Sequence, residues 1–546
     1  MVNRQKLLII MGLGVFSYRF LVEPFELFKV NKEIKELKEP AGPPPAPATL
    51  TINLESIEAE IDPRIYGGFI EVLGKCIYGG LWDEYNTKVP LIHGGLRADV
   101  VNEIRALNVS VIRWPGGCFS DVYEWKEGIG PRTQRRTQKN KHWHILGPKI
   151  GPNQDNHFGS DEFMQFISEL GVEPYINVNF GTEIPEEAAH WVEYMNGDET
   201  TEYGTLRAKN GHPDPYNVKL WGIANEIFGV WEKGYLPATK YAHRYLEFAD
   251  KMRTVDPTIK LIAVGVDWTY PDWNRQLLEI AGDQIDYLSL HVYIPGTAVV
   301  TLSNRVKDFY NIIAGAFEVE RRIQWTENSI REVMGQRKEI PIALDEWGPW
   351  WNMRQLYEGY YTLRDGLFAA SVFELLHRHA NDVKMANYAQ LVNVVPLIVT
   401  NSTDLYHNPM YLAFQLFSTH AERYVVSALT NCEKVVNPKY GNIAQTEIPY
   451  LGVSVTTNEA KDRLVIIGIN RHHAHEISTT ISLTEFTPES TAQIFELNGP
   501  SHTAYNHFDK KDEVSIQQKE LSPISSQFTY IFPPHSVTAL ILSKKS

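Results

Sequence analysis

Two glutamates, Glu226 and Glu346, each follow an apolar run of the kind that forms a buried strand. Burying a carboxylate in such a place is costly unless the group is paired or used. Cleavage of a glycosidic bond needs two such groups, because one carboxyl group protonates the departing oxygen while the other attacks the sugar or positions water. We therefore predict that Glu226 and Glu346 form a catalytic pair. The alternative for either glutamate alone is a surface or salt-bridged residue.

Polar side chains also end most of the other apolar runs along the chain. They include Glu71, Arg113, His291, Tyr293 and Gln390. In a (β/α)8 barrel the carboxyl ends of the strands converge on one mouth, so polar residues at those ends indicate function. We expect His291 to orient neighbouring groups rather than to act as a base.

The elements that must position these residues are eight apolar runs that alternate with amphipathic stretches, a pattern typical of βα units around a parallel sheet. Helical periodicity lies between the runs, for example at Ser160–Leu170, with Ser160 as the N-cap, and at Ala238–Val255. The pattern predicts a (β/α)8 barrel with the two glutamates on strands four and seven, which face one another. The predicted strands are Tyr66–Ile70, Val109–Arg113, Pro174–Val178, Leu220–Ala224, Leu261–Gly265, Tyr287–Leu290, Ile342–Leu344 and Met385–Gln390, and the further predicted helices are Asp99–Leu107 and Gly359–His379.

Beyond Pro396, short strand-like runs follow one another without helices between them. Asn, Gly, Pro and Thr residues separate these runs, which predicts a C-terminal β-sandwich. The run Leu50–Leu54 precedes the first barrel strand and is expected to add a strand to the same sandwich. The C-terminal runs are Arg463–Asn470, Glu476–Leu483, Ala492–Leu497 and Phe528–Ile541.

The same patterns divide the chain into four predicted parts. Residues 1–48 form a hydrophobic leader and a proline-rich linker, and residues 49–64 contribute a strand to the β-sandwich. Residues 65–395 form the catalytic barrel, and residues 396–546 form the C-terminal β-sandwich.

The N-terminal residues of the leader bear on the cellular location of the protein. Arg4 and Lys6 precede an apolar run from Leu7 to Phe16, as in the basic and hydrophobic parts of a secretory signal. No cleavage site of small residues follows promptly, and the run is shorter than the roughly 20 residues that a spanning helix needs. We predict a secreted protein or one tethered to a membrane by this segment. The alternative is a cytoplasmic protein with a mis-assigned start or an N-terminal extension.

Composition narrows the class of partner. The chain has 52 Lys and Arg residues against 66 Asp and Glu, a net charge of −14, which leaves no basic field for nucleic acid. The 13 Trp, 27 Tyr and 23 Phe residues favour a carbohydrate partner, because aromatic rings stack on sugar faces. Cys76, Cys118 and Cys432 are odd in number and have no paired spacing, so we predict neither a disulfide framework nor a zinc cluster. We also predict no cofactor.

Six motifs in order give the chain a resemblance to glycoside hydrolase family 51, whose best-known members are α-L-arabinofuranosidases. The resemblance extends from Thr49 to Leu542. It implies a barrel with a jelly-roll domain, a retaining and metal-free hydrolase of furanosides, and a protein that is often oligomeric. The motifs are Gly68-Phe-Ile-Glu-Val-Leu-Gly-Lys-Cys-Ile-Tyr-Gly-Gly80, Arg113-Trp-Pro-Gly-Gly-Cys-Phe119, Trp221-Gly-Ile-Ala-Asn-Glu226, Ser289-Leu-His-Val-Tyr293, Asp345-Glu-Trp347 and Ala389-Gln-Leu-Val-Asn393.

The resemblance also implies roles for single residues. Asn225-Glu226 matches the acid/base motif of the family, and Glu346 matches its nucleophile. The positions that hold the sugar at the scissile bond are matched by Glu71, Arg113, Asn225, Tyr293 and Gln390. For Arg113 the alternative is a salt bridge that orients Glu346.

One substrate position departs from the family pattern. Cys118 stands where well-studied arabinofuranosidases of the family have Asn, and a thiol is a much weaker hydrogen-bonding group. We expect Cys118 to lie near the sugar. The change leaves room for the endoglucanase or xylosidase activities that the family also includes.

Aromatic residues supply the last candidates. Trp143 lies in the basic loop Lys126–Asp155 and, with His142, is a candidate lining of a sugar subsite, against the alternative of a solvated charged loop. Trp347, Trp350 and Trp351 follow Glu346 and are candidates for stacking on the substrate, although at least one is expected in the core.

We therefore expect a retaining hydrolase that releases α-L-arabinofuranosyl residues from arabinose-containing polysaccharides or oligosaccharides by double displacement. The alternatives are a β-glycanase or xylosidase of the same family and, more remotely, a non-catalytic carbohydrate-binding protein. A decayed catalytic site predicts loss of a carboxylate, whereas Glu226 and Glu346 are both present.

Overall fold

The computed structural model describes residues 41–295, 306–350 and 360–545, so the predicted hydrophobic leader lies outside the described residues. It contains a closed barrel of eight strands and a nine-stranded sheet. None of the helices in the described ranges is both long enough and apolar enough to cross a membrane.

The barrel is parallel throughout, and each of its strands overlaps a predicted one, with bounds that differ by a few residues. The sixth and seventh strands continue past their predicted ends at Leu290 and Leu344. The two strands stay paired in this extension, where His291 is in register with Glu346 and Tyr293 is in register with Gly348. The strands are Gly67–Phe69, Val111–Trp114, Glu173–Val178, Leu220–Ile223, Lys260–Ala263, Tyr287–Pro295, Ile342–Trp350 and Val383–Ala389.

Helices cross between the barrel strands, and the prediction for Ala238–Val255 is confirmed. The helix Ser160–Leu170 also has its predicted bounds, but the N-cap is Gly159 and not Ser160. The Ser160 hydroxyl is taken by the Trp191 indole N–H at 3.0 Å, and the Glu162 carboxylate accepts from the Gly159 amide at 3.0 Å instead. The other helices are Ala98–Ala106, Pro185–Asn196, Glu202–Lys209, Trp273–Ala281, Val306–Met334, Leu363–Arg378 and Pro409–His420, with 3-10 turns at Pro63–Tyr66, Ser120–Val122, Trp125–Gly128, Arg132–Gln134, Trp143–Leu146 and Gly282–Gln284.

The nine-stranded sheet joins the beginning of the described chain to its end. Strand Ala48–Glu60 starts one residue before the predicted position 49 and pairs antiparallel with Tyr424–Asn431 and parallel with Ile477–Thr484. Its alternate residues are buried, because one face packs on the interior of this β-rich domain. The other strands are Leu451–Thr457, Arg463–Asn470, Ala492–Asn498, Ser515–Leu521, Gln527–Phe532 and Val537–Ser543, and short pairs form between Leu91–Ile92 and Leu96–Arg97, Ile398–Thr400 and Leu405–His407, and Lys434–Asn437 and Thr446–Pro449.

The predicted run Phe528–Ile541 is wrong as a single strand. Two strands occupy it, Gln527–Phe532 and Val537–Ser543, and they pair with different neighbours. The extended segment ends between them at Pro533-Pro534, which have no amide N–H to donate to a neighbouring strand. His535, whose φ is 43°, then turns the backbone.

The inside of the barrel is filled near the amino ends of the strands. A small apolar cluster closes it there, which leaves the polar side chains above it at the opposite, carboxyl ends. The members of this cluster are Val111, Tyr175, Leu220, Ile262, Ala343 and Met385.

A pair of truncations tests the role of the first sheet strand. Removing residues 1–40 should leave the thermal unfolding midpoint unchanged, because the strand and the contact of His475 with the Gly42 carbonyl remain. Removing residues 1–60 deletes Leu50, Ile52 and Leu54 from the core, each worth about 1.5–3 kcal/mol, against a net stability of about 5–15 kcal/mol. We expect that shorter chain to be insoluble. Equal solubility and equal melting of the two chains would contradict this account of the sheet.

Candidate active site

Glu226 is presented by a strained turn at the end of the fourth barrel strand. Ala224 has φ 77° and Glu226 has φ 38°, in the left-handed region that residues other than glycine rarely adopt. The Asp121 carboxylate holds the turn by accepting from the backbone amide of Asn225 at 3.0 Å. Such strain persists only where the surroundings enforce it, and it is common at functional sites.

The Glu226 carboxylate has one partner on each oxygen. Nδ1 of His291 lies 3.0 Å from Oε1, and the indole N–H of Trp231 donates to Oε2 at 2.9 Å. Trp231 is about half exposed, at 52%, so Glu226 lies at the edge of the open cleft.

Glu346 faces Glu226 from the seventh strand, and both of its oxygens accept hydrogen bonds. Nη1 of Arg113 donates to its Oε1 at 2.6 Å, and the Tyr293 hydroxyl donates to its Oε2 at 2.7 Å. One oxygen of each glutamate and one ring nitrogen of His291 lie within 4.8 Å of one another.

Arg113 lies beneath both glutamates and is fully buried. Besides its bond to Glu346, it donates through Nη2 to Oδ1 of Asn225 at 2.8 Å, and its Nε is 3.8 Å from the Asp345 carboxylate. The ring of Phe69 packs against the guanidinium, with Cζ 5.1 Å from the ring centroid. The salt bridge to Glu346 that the sequence offered as the alternative for Arg113 is therefore present.

His291 joins three acidic residues. Its Nε2 lies 3.3 Å from Asp345, and its Nδ1 is 3.6 Å from Glu346 as well as 3.0 Å from Glu226. Burial opposes its charge, but the surrounding carboxylates outweigh burial and raise the pKa of His291 to about 10. Burial likewise disfavours ionised Glu226, but the hydrogen bond and charge of His291 outweigh it, so the pKa of Glu226 is lowered.

Glu71 lies on the other side of Glu346 and is also buried. Its Oε1 accepts from the Phe119 amide and the Trp143 indole, both at 3.0 Å, and its Oε2 accepts from Gln390 at 3.1 Å. Burial, aided by the charge of Glu346, raises the pKa of Glu71 to about 7. Glu71 can therefore both accept and donate hydrogen bonds near neutral pH.

The loop after the second strand passes close under the carboxylates. A Cβ on Gly116 would lie 2.4 Å from Cγ of Glu71, and one on Gly117 would lie 2.6 Å from Oε1 of Glu346. Gly116 also has φ 158°. Only glycine leaves room for both side chains at these positions.

Cys118 follows these glycines and is half-buried. Its sulfur lies 3.8 Å from Nδ2 of Asn225, and the same nitrogen donates to Oε1 of Glu232 at 3.2 Å. Burial raises the pKa of the Cys118 thiol well above its usual range, so the thiol is protonated near neutral pH.

The candidate tryptophans have separate positions. Trp347 is fully buried in the core, where it packs edge-on against Phe373 and Tyr388, so its ring does not line the cleft. Trp143 reaches Glu71, and Trp350 packs edge-on against Tyr293 with centroids 5.4 Å apart. Trp351 lies outside the described residues.

Sequence reasoning missed three contributors to the site. Asp121 fixes the turn before Glu226, while Trp231 and Glu232 contact Glu226 and Asn225. The last two stand five and six residues after Glu226 in the loop of the fourth strand, so they share a local segment with it. Their closeness to Glu226 in the sequence was the signal from which Trp231 and Glu232 could have been predicted as site residues.

Gly117 gives a direct test of how tightly the site is packed. Gly117→Ala should push the Glu346 carboxylate away from Arg113 and lower the free energy of unfolding by about 1–3 kcal/mol, the usual cost of overpacking. Chemical denaturation and a crystal structure of the variant measure both effects. The matched control is Gly499→Ala, whose Cβ would meet no atom nearer than 3.2 Å. Wild-type unfolding with an unmoved carboxylate would contradict the expected clash.

The chain is similar to known proteins over most of its length. Family models described as "Alpha-L-arabinofuranosidase 1 domain" and "Alpha-L-arabinofuranosidase C-terminal domain" match residues 103–311 and 345–536. The chain is 33% identical over 508 residues to "Probable alpha-L-arabinofuranosidase C" of Aspergillus fumigatus, covering 88% of this chain and 94% of the relative. It is also 33% identical over 481 residues to the "Intracellular exo-alpha-L-arabinofuranosidase" of Bacteroides ovatus, covering 86% and 90%.

Solved structures give the same result. The thermostable GH51 α-L-arabinofuranosidase from Thermotoga petrophila superposes with a TM-score of 0.82 at 33% identity, covering 90% of this chain and 99% of that one. The sequence matches and the shared barrel and β-rich domain together establish that this chain belongs to glycoside hydrolase family 51, the family of the α-L-arabinofuranosidases.

Proposed function

We propose that this protein releases α-L-arabinofuranosyl residues from arabinose-containing polysaccharides or oligosaccharides with retention of configuration. The observation that carries the mechanism is the approach of Glu226 and Glu346, whose nearest oxygens lie within 4.8 Å across the barrel mouth. Carboxyl groups about 5–5.5 Å apart suit double displacement, whereas inverting enzymes need about 6.5–9.5 Å to admit a water molecule. The names of the relatives support arabinofuranosyl groups as the sugar.

Glu346 is the proposed nucleophile. Arg113 and Tyr293 each fix one of its oxygens, so the carboxylate is oriented before the substrate arrives. When one oxygen bonds to the anomeric carbon, the hydrogen bonds to the carboxyl group hold the glycosyl-enzyme ester in place. Preorganisation of this kind lowers the barrier, because little rearrangement accompanies the reaction.

Glu226 is the proposed acid/base, and His291 supplies its proton. The two groups lie 3.0 Å apart, so they titrate as a pair that holds one proton between them near neutral pH. Transfer from Nδ1 of His291 to Oε1 of Glu226 gives the protonated carboxyl group that the departing oxygen needs. After the leaving group departs with the proton, ionised Glu226 removes a proton from the incoming water.

The sugar subsite is proposed to lie between these carboxylates and Glu71. Glu71 and Gln390 are hydrogen-bonded to each other and offer groups that furanose hydroxyls can use. Asn225 and Cys118 line the side nearest Glu226, and Trp143 covers Glu71.

An assay with a panel of aryl glycosides and a cellulose oligomer tests the activity. We expect kcat/KM for nitrophenyl α-L-arabinofuranoside to exceed that for the β-xyloside or the cellulose oligomer by at least about 100-fold, which is about 2.7 kcal/mol of transition-state binding. A preference for the xyloside or the oligomer would favour the rival xylosidase or β-glycanase. Absence of turnover on every substrate would favour a carbohydrate-binding protein.

Substitution of each glutamate tests the two roles. Glu226→Ala should lose about 10²–10⁴-fold on natural linkages but still form the glycosyl-enzyme rapidly from dinitrophenyl glycosides, which need no general acid. Added azide should then speed turnover and give a product of retained configuration, because azide needs no general base.

Glu346→Ala should be nearly inert on both substrate types, since every turnover needs the nucleophile. In this variant azide can at best occupy the vacated place and give an inverted product. An exchange of the two signatures would reverse the assignment. Wild-type activity of both variants on natural linkages would remove the reaction from this site.

We also propose the four-part division at residues 48, 64 and 395, export or membrane tethering by the segment from Arg4 to Phe16, and assembly into homo-oligomers. The basic and apolar residues of the segment support export, and a cytoplasmic location is the alternative. Cell fractionation of the full chain tests location, and light scattering of the purified protein tests assembly.

A further inference from the structure

Two loops at the barrel mouth expose aromatic rings that the sugar subsite described above does not include. One loop follows strand four and carries Tyr235, and the other follows strand five and carries Trp268 and Tyr270. Strands four and five are neighbours in the barrel, so the loops at their carboxyl ends emerge side by side. These three residues, which we call the aromatic platform, are 45%, 38% and 36% exposed.

The aromatic platform lies on the leaving-group side of the catalytic pair. The buried ring of Phe228 packs edge-on against Trp231 and lies 5.3 Å from the ring of Tyr270, centroid to centroid. Trp231 in turn donates to the Glu226 carboxylate. Burial, and then the charges of Tyr235 and Glu226, raise the pKa of Tyr270, so these groups share one part of the surface. Because the acid protonates the departing oxygen, the substrate beyond the scissile bond lies on this side.

The rings of the platform are held in place from behind. Cζ of Arg322 lies 5.3 Å from the centroid of the Trp268 ring, and the guanidinium is anchored by a 2.5 Å ion pair with Asp267. The carbonyl of Tyr270 accepts from the backbone amide of Trp273 at 2.9 Å, which fixes the turn that carries the ring. Rings that are already ordered lose little conformational entropy when a ligand stacks on them.

The chemistry of the platform fits a neutral sugar chain. Exposed apolar patches next to a cleft mark binding sites, and Trp and Tyr combine an apolar ring with a polar group. A pyranose unit with equatorial hydroxyls presents a flat face of C–H groups to such a ring, and the hydroxyls at its edge can bond to a Tyr hydroxyl. A furanose ring is smaller and puckered. A glycan chain of β-linked pyranose units is therefore the partner that suits these rings.

We propose that the aromatic platform binds the pyranose main chain of a polymeric substrate, beyond the unit from which the arabinofuranosyl group is cleaved. This inference rests on the proposed arabinofuranosidase function, and it names the class of natural substrate: a long β-linked pyranose chain with arabinofuranosyl branches. The platform shares no residue with the catalytic pair or with the sugar subsite beside Glu71.

The position of the platform also predicts which kinetic constant it affects. Trp268 and Tyr270 have no contact with either catalytic carboxylate among the described residues. Contacts remote from the reacting atoms stabilise the bound substrate and the transition state equally. Their loss should therefore raise KM for a polymer and leave kcat unchanged.

Hydrolysis of arabinoxylan by Trp268→Ala and Tyr270→Ala tests the proposal, because the main chain of arabinoxylan is β-1,4-linked xylose. We expect each variant to lose at least about tenfold in kcat/KM on arabinoxylan, through KM. On nitrophenyl α-L-arabinofuranoside, which has no main chain, each should stay within about twofold of the wild type.

Two further variants separate stacking from folding. Trp268→Phe keeps an aromatic ring and should recover most of the activity on arabinoxylan. The matched control is Leu429→Ala, which removes an exposed apolar side chain of the nine-stranded sheet and should leave both substrates unaffected. Thermal unfolding of every variant should match the wild type, since the substituted side chains are partly exposed.

Calorimetric titration with a linear xylo-oligosaccharide measures the platform without catalysis. We expect the wild-type chain to bind it and Trp268→Ala to bind it at least about tenfold more weakly. If the wild type binds the oligosaccharide in this way but cleaves no arabinofuranoside, the proposed activity fails while the platform stands.

Four results would overturn the platform. Trp268→Ala and Tyr270→Ala could lose equally on arabinoxylan and on the aryl glycoside, which is the sign of a structural role, or they could lose nothing on arabinoxylan. A larger loss on branched arabinan than on arabinoxylan would assign the surface to a furanose chain. A changed oligomeric state in light scattering, with unchanged activity on arabinoxylan, would assign it to a second copy of this chain.

Discussion

The architecture of the site depends on one buried cation, Arg113. Its guanidinium lies under the barrel mouth and contacts Glu346 and Asp345 on strand seven and Asn225 in the turn after strand four. Without it, Glu346 would lose its closest cationic partner, and breaking a buried pair of this kind usually costs about 3–5 kcal/mol. Because a guanidinium offers donors in a fixed plane, Arg113 also sets the separation of the residues that it bridges.

A second cation, His291, adds to the positive charge among the carboxylates, because its pKa is raised to about 10. Arg113 is permanently charged and cannot take part in proton transfer, whereas His291 can. Glu226, Asp345 and Glu346 all lie within 3.6 Å of His291, so each favours its protonated form. In the proposed mechanism the fixed charge of Arg113 orients the carboxylates, and His291, which titrates, exchanges a proton with Glu226.

The carboxylates can lie close together because the backbone of the loop after the second strand passes directly beside them without side chains. Gly116 and Gly117 carry no side chain where one would meet Glu71 or Glu346. On the opposite side, the left-handed backbone at Ala224 and Glu226 turns the chain sharply, so that Glu226 points across the mouth. Eight paired strands supply the rigidity that keeps these strained conformations in place.

The sequence by itself determined the barrel, its eight strands and the family, because apolar periodicity and polar strand ends are local patterns. For example, the run Leu220-Trp-Gly-Ile followed by Asn225-Glu226 is recognised without knowing which distant residues it contacts. Tertiary structure alone decided that Trp347 is core, that Gly159 caps its helix, and that Asp121 and Trp231 support Glu226. It also brought Cys118, Asn225 and Glu232 together. The physical reason is that packing, hydrogen-bond pairing and pKa shifts depend on groups that are distant in the chain, and one sequence without its fold does not specify which distant groups meet.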